Sequence, residues 1–379
     1  MTVTVTGAAV LPTYLRQDAT FVSGEGAWLV DAEGRRYLDF VAGIAVVGLG
    51  HLHPAPLEAA QAQLTRLWHA SNLYWTEPMA RLAERLSDRF GGAQAFFCNS
   101  GAETIEAALK YARKATGKPG VVALEGSFHG RTFGALAATG QAAKRQAFEP
   151  VVPGVRFADP NDTDSLAAAV DGATGCILLE PVQGEGGIRP LEPAFVASAR
   201  ELADELGALL VLDEVQTGVG RTGTFFCFEQ LGVAPDAVTL AKGLANGLPI
   251  GALLVAEDRA GGFEPGDHGS TFGGNPVASA AAVAVCDAID DDLLTAVRLT
   301  GDVLADGLGG LPGVTEVRGR GLLIGADVDR PAADVVDDCR ERGLLVCSAG
   351  EQVLRLTPPL TIGAAEVEQA LAVLGEVLA

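Results

Sequence analysis

The sequence predicts an α/β protein with two parts: a large, doubly wound, mostly parallel sheet domain and a smaller α/β domain built from both chain ends. Short apolar runs of strand length alternate with helical patterns, the order of repeated βαβ units. The 48 glycines suit many tight turns between strands and helices. After about residue 300 the alternation gives way to short strands and a final helix. A length of 379 residues suits two domains, and a hydrophobic content of 48% is ample for a core.

In chain order, residues 27–31 and 36–40 flank Glu33-Gly34 and read as a hairpin. A helix is expected over 56–68, a strand over 95–98, a helix over 103–116 and a strand over 120–124. Strands follow at 175–179 and 208–212, with a helix between them over 193–206. Two more strands are expected at 237–240 and 251–255, then a helix over 276–287. Beyond these come a helix over 298–307, strands at 314–318, 322–327, 344–347 and 353–356, and a last helix over 364–378. The expected division is 1–50 with 298–379 as the small domain and 51–297 as the large one.

The net charge of −21 argues against nucleic acid and anionic membranes as partners. No apolar run approaches the roughly 20 residues of a membrane span, and Met1–Thr6 lacks a basic, signal-like start, so a cytoplasmic location is expected. The six cysteines (Cys98, Cys176, Cys227, Cys286, Cys339 and Cys347) are widely spaced, without a Cys-x-x-Cys, and suit neither a disulfide framework nor a zinc site.

The most informative residue is Lys242. The chain has five lysines, and none but Lys242 follows Lys144. Lysines near apolar stretches are usually snorkelling surface residues. This one ends an apolar strand in Val-Thr-Leu-Ala-Lys-Gly, where burial lowers an amine's pKa and makes it a nucleophile for carbonyl groups. Another apolar strand ends in Asp213-Glu214, 29 residues before it. An acid and a lysine at neighbouring strand ends suit pyridoxal phosphate: the lysine forms an imine and the acid keeps the pyridine nitrogen protonated.

Further strand ends carry matching parts. Ser100-Gly101-Ala102-Glu103 opens a helix, whose free amides suit a phosphate. By itself this is ordinary capping. Phe128, between small residues, suits stacking on a flat ring, and Arg131 offers a fork for a carboxylate. His129 reads as structural. The loop 180–187 holds Glu180, Gln183 and Glu185 among glycines, and Gln216 follows Asp213 by three residues. The loop 269–276, with Ser270 and Thr271, is polar and glycine-rich before a helix. Ligands in open α/β sheets bind at the carboxyl ends of strands, where all these motifs lie.

Together these residues resemble the class III (ω-amino) pyridoxal phosphate aminotransferases, most closely their acetylornithine branch. The likeness runs from Gly24-Glu25-Gly26 and Gly50-His51-Leu52-His53-Pro54 to Arg355-Leu356-Thr357-Pro358-Pro359, and its most specific part is Leu-Asp-Glu-Val-Gln-Thr-Gly at 212–218 with its lysine 29 residues beyond Asp213. The resemblance implies a fold-type I homodimer with its active site at the subunit interface. It implies that Lys242 is the imine-forming lysine, Asp213 the partner of the ring nitrogen and Gln216 the contact to the phenolic oxygen. Ser100, Gly101 and Ala102 would hold the phosphate, with Thr271 reaching the partner subunit's phosphate, and Phe128 would stack on the ring. Arg131 and Arg355 would each take a substrate carboxylate. Glu185 would pair with Arg355 when no carboxylate is there, and Ser270 is counted among the substrate-facing residues.

Ile44 stands where related ornithine aminotransferases carry a tyrosine that helps hold a free α-amino group. An apolar wall suits a nitrogen made neutral by acylation, so N-acetylornithine, with 2-oxoglutarate as acceptor, is the expected substrate, in arginine biosynthesis. Relatives act on acetyl-lysine (lysine biosynthesis), succinyl-diaminopimelate, succinylornithine or carrier-linked amino acids. An isomerase of the glutamate-1-semialdehyde aminomutase kind is disfavoured by Gln216 and Arg355. A dehydrogenase is disfavoured by the absence of G-x-G-x-x-G after the first strand, and a non-catalytic scaffold by the retained lysine, aspartate and arginines.

Overall fold

The computed structural model describes residues 9–379. Its centre is a seven-stranded sheet in the order Ala93–Cys98, Gly251–Ala256, Ala237–Leu240, Leu209–Asp213, Thr174–Leu179, Gly120–Leu124 and Val155–Ala158. Gly251–Ala256 runs antiparallel to both neighbours and the other pairings are parallel. The inner strands are buried along their whole length, as strands with helices on both faces must be. The parallel strands therefore end at one edge, and the loops after them converge there.

Two smaller four-stranded sheets join distant parts of the chain. Phe21–Glu25, Trp28–Asp31 and Arg36–Asp39 are completed by Leu344–Leu345. Val314–Arg320, Leu323–Val328, Val353–Leu356 and Cys347–Ser348 form the other. The stretch expected as one strand at 344–347 is thus split between two sheets. Leu344 pairs with Leu38 and Cys347 with Arg355, so the chain changes sheets at Val346.

The helix expected over 298–307 is longer, Asp291–Gly309, because Asp290 caps it through Leu293 N. It spans the position 297/298 without a break. Leu294 packs in the core of the large sheet, whereas Val297, Leu304 and Leu308 pack in the second core. The helix expected over 56–68 runs Pro54–Leu64. Helix Glu77–Phe90, bounded by Pro78 and the left-handed Gly91, and edge strand Val155–Ala158 are not among the expected elements. The strand is four residues long and only partly buried, so its apolar pattern is weak.

Candidate active site

Strand ends of the large sheet surround a cavity of about 560 Å³. Eight of the candidate residues form part of its wall: Ser100, Gly101, Ala102, Phe128, Arg131, Asp213, Gln216 and Lys242.

Lys242 begins the turn after strand Ala237–Leu240, with φ of +35°, a left-handed conformation that costs a residue bearing a Cβ. Asn246 anchors that turn: it accepts from Leu49 N at 2.8 Å and donates to Gly50 O at 2.9 Å. Burial pushes the Lys242 amine down to about 8, and Arg355 adds to this, while Glu185, Asp213 and Glu180 oppose it.

Asp213 ends the adjacent strand, in register with Thr239. Its Oδ1 accepts from Thr239 Oγ1 and from Val215 N, each at 3.1 Å. Its Oδ2 lies 2.7 Å from His129 Nδ1. Burial depresses the imidazole's pKa, but the Asp213 carboxylate, with Glu180, outweighs it and holds His129 above its usual value. His129 is thus tied to the acid at the centre of the site, a role its place beside Phe128 only hinted at. Its Nε2 is buried without a partner.

Glu180 is a second residue whose place emerges only in three dimensions. Its carboxylate accepts from Phe128 N at 2.9 Å and Gly184 N at 3.3 Å, joining the ring-stacking loop to the Glu185 loop. Burial and the nearby Asp213 push it up to about 7, with His129 pulling the other way.

Arg355 is 2% exposed. Its Nη1 donates to the Glu185 carboxylate and, at 3.1 Å, to Gly184 O. Its Nε donates to Cys347 Sγ at 3.3 Å. Burial works against the Glu185 charge, but Arg355 outweighs it and keeps that carboxyl below its usual range. Gln216 Oε1 lies 3.5 Å from Arg355 Nη1. A Cβ at position 184 would come within 2.4 Å of the Gln216 side chain, so glycine there makes the arrangement possible.

At the other end, helix Gly101–Thr116 opens on a capping box. Ser100 Oγ accepts from Glu103 N, and Glu103 Oε2 accepts from Asn99 N and Ser100 Oγ. Thr104 N is satisfied by Ser100 O. The amides of Gly101 and Ala102 remain free at the cavity, an anion site at the positive end of a 16-residue helix.

Five candidates lie outside the cavity wall: Glu185 and Arg355, paired with each other, and Ile44, Ser270 and Thr271. Ile44, 39% exposed, sits in a left-handed turn in which Ala42, Gly43, Ile44 and Ala45 all have positive φ. Val46, two residues on, lines the cavity instead. Thr271 is exposed. Ser270 Oγ accepts from Asn99 Nδ2 at 3.2 Å, and Asn72 donates to Ser270 O and Gly273 O, so the loop is anchored beside the site with Thr271 outside the cavity wall of its own chain.

The donor set fits pyridoxal phosphate: free helix amides for a phosphate, an aromatic face, a carboxylate backed by a histidine, and a buried amine of lowered pKa. An aminotransferase class-III family model matches residues 14–378. The acetylornithine aminotransferase of Gloeobacter violaceus is 49% identical over 383 residues, spanning 98% of this chain and 96% of that protein. The ornithine aminotransferase of Toxoplasma gondii superposes with a TM-score of 0.93 at 32% identity, covering 98% of this chain and 92% of that one. The N-acetylornithine aminotransferase of Stenotrophomonas maltophilia superposes at 0.84 with 37% identity, covering 96% of each. With the family model spanning nearly all of the sequence and the strand ends forming a matching site, the chain belongs to the class-III aminotransferases.

Proposed function

We propose that this protein moves the ω-amino group of N2-acetylornithine to 2-oxoglutarate, giving N-acetylglutamate 5-semialdehyde and glutamate, as a cytoplasmic homodimer in arginine biosynthesis. The observation that carries the transfer chemistry is Lys242, strained and of lowered pKa, in the turn just past one strand, with Asp213 at the end of the adjacent strand.

Pyridoxal phosphate, when bound, supplies an electrophilic aldehyde and a ring that takes up an electron pair. Asp213, backed by His129, holds a proton at the pyridine nitrogen. The amides of Gly101 and Ala102 hold the phosphate, Phe128 packs on the ring and Gln216 contacts the phenolic oxygen. Lys242 Nζ, partly neutral near physiological pH, would hold the aldehyde and serve as the base that takes up and returns the substrate's proton. Glu185 neutralises Arg355 while the amine donor is bound, and yields Arg355 to the α-carboxylate of 2-oxoglutarate or glutamate. Arg131 takes the carboxylate at the far end.

The identity to acetylornithine aminotransferases supports the acylated donor. The TM-score of 0.93 to an ornithine aminotransferase makes ornithine the second reading. A shared backbone does not decide which nitrogen substituent is tolerated. Exposed Trp68, Leu73, Tyr74, Trp75 and Phe272 form an apolar surface near the 269–276 loop that suits a second copy, whose Thr271 would complete the phosphate site.

Comparing kcat/KM for N-acetylornithine and ornithine with 2-oxoglutarate tests the reading. Discrimination above roughly tenfold, about 1.4 kcal/mol, is expected because a free α-ammonium would be buried unpaired. Equal values, or a preference for ornithine, would refute it.

A further inference from the structure

Two cations rest on one aromatic ring. Arg131 Cζ lies 5.6 Å and Lys144 Nζ 4.7 Å from the centre of Phe128. Lys144 sits in the short helix Ala142–Arg145 and is half-buried. Burial lowers its pKa, and Glu185, Arg131, Arg355 and Glu180 are near enough to act on its charge. It is not part of the cavity wall, but its ammonium rests on Phe128, which is, beside Arg131.

Its ammonium is uncommitted. Lys110 donates to Asp267 O, Lys114 to Glu264 and Asp267, and Lys118 to Leu206 O. Among the described residues Lys144 Nζ has no hydrogen-bond acceptor and no ion-pair partner. A cation–π contact consumes none of its three N–H donors. Among the described residues Arg131 likewise has no ion pair. Two free cations against one ring make a receptor for a carboxylate, in a protein whose net charge is −21.

We propose that Lys144 is a specificity-determining residue that shares with Arg131 the carboxylate held at that end of the cavity: the α-carboxylate of the amine donor in one half-reaction and the distal carboxylate of glutamate or 2-oxoglutarate in the other. This deepens the proposed function and rests on it for the identity of the donor. Lys144 acts in both halves of the cycle, whereas Arg355 serves one.

The test uses the holoenzyme and two variants, Lys144→Met and Lys144→Arg. Single-turnover half-reactions are measured with glutamate, with N-acetylornithine and with N-acetyl-1,4-diaminobutane, the same donor without its carboxylate. Lys144→Met should raise half-saturation for glutamate and N-acetylornithine by roughly tenfold, with a much smaller change in limiting rate. The preference for N-acetylornithine over the carboxylate-free amine should fall by a similar factor, and Lys144→Arg should restore most of the loss. A rise with only one of the two carboxylate substrates would overturn the proposal. So would an equal loss with all three amines, the sign of a merely structural residue. If the wild type uses glutamate but not N-acetylornithine, the donor assignment fails, and Lys144 still stands or falls on the glutamate half-saturation.

Discussion

The floor and the rim of the active-site cavity are built differently. On the floor, Asp213, His129 and Thr239 are buried and Lys242 half-buried, and all come from strands or the turns after them. Ladder register sets their spacing: Asp213 stands opposite Thr239, and its two oxygens are held by Thr239, Val215 and His129. On the rim, Ile44, Arg131 and Thr271 come from loops far apart in the chain and are exposed. A floor whose acid is held from several sides preorganises charge at a fixed point. An exposed rim is where substrates and a second subunit act, so chemistry and specificity occupy separate structural layers.

The largest break in that comparison is Lys242→Ala, which should abolish turnover and the cofactor's visible absorbance band. No other lysine follows Lys144 to replace it. Reduction with borohydride should label the peptide containing Lys242, and labelling elsewhere would remove it from the role. Next is Asp213→Asn. An amide cannot hold the ring proton, so kcat should fall on the order of a thousandfold while thermal unfolding keeps its cooperativity. Near-normal turnover would exclude Asp213 from the mechanism.

Arg355 joins floor to rim, and its loss should be one-sided. Arg355→Ala should slow the glutamate half-reaction by on the order of a hundredfold, about 3 kcal/mol, and the acylated-amine half far less. Equal slowing in stopped-flow experiments would rule out the Glu185 exchange.

A pH series sharpens the floor further. Lys242 has a lowered pKa, so its neutral, reactive form appears at lower pH than for an ordinary lysine. The rate at which cofactor-free protein captures pyridoxal phosphate should climb up to about 8 and level above it. A rise continuing toward the ordinary value of 10.5 would mean that burial does not tune this amine. The smallest effect belongs to the rim. Ile44→Tyr should improve kcat/KM for ornithine by roughly threefold to tenfold, narrowing its gap to N-acetylornithine. No gain for ornithine would show that position 44 does not read the α-nitrogen.

Much of the floor was legible because its signals are local. An apolar run ending in Asp213, another ending at Lys242 and a Ser-x-x-Glu box at 100–103 each declare themselves within a few residues. His129 and Glu180 were harder to place. Their partners, Asp213 and Phe128, lie 84 and 52 positions away, and no short window records such a pairing. The split of 344–347 between two sheets, and the helix that crosses 297/298 from one core to the other, were hidden for the same reason.

Local chemistry in the sequence pointed to the α/β class, the strand ends and the candidates Lys242 and Asp213, because periodicity, caps and isolated charges act over a few residues, whereas Arg355 was named only by the family resemblance. The tertiary structure alone decided that His129 backs Asp213, that Glu180 ties two loops together, that Lys144 joins Arg131 on Phe128, and that Ile44 and Thr271 are exposed. These facts depend on strand register and on loops closing over long stretches of chain, and local propensity carries no information about either.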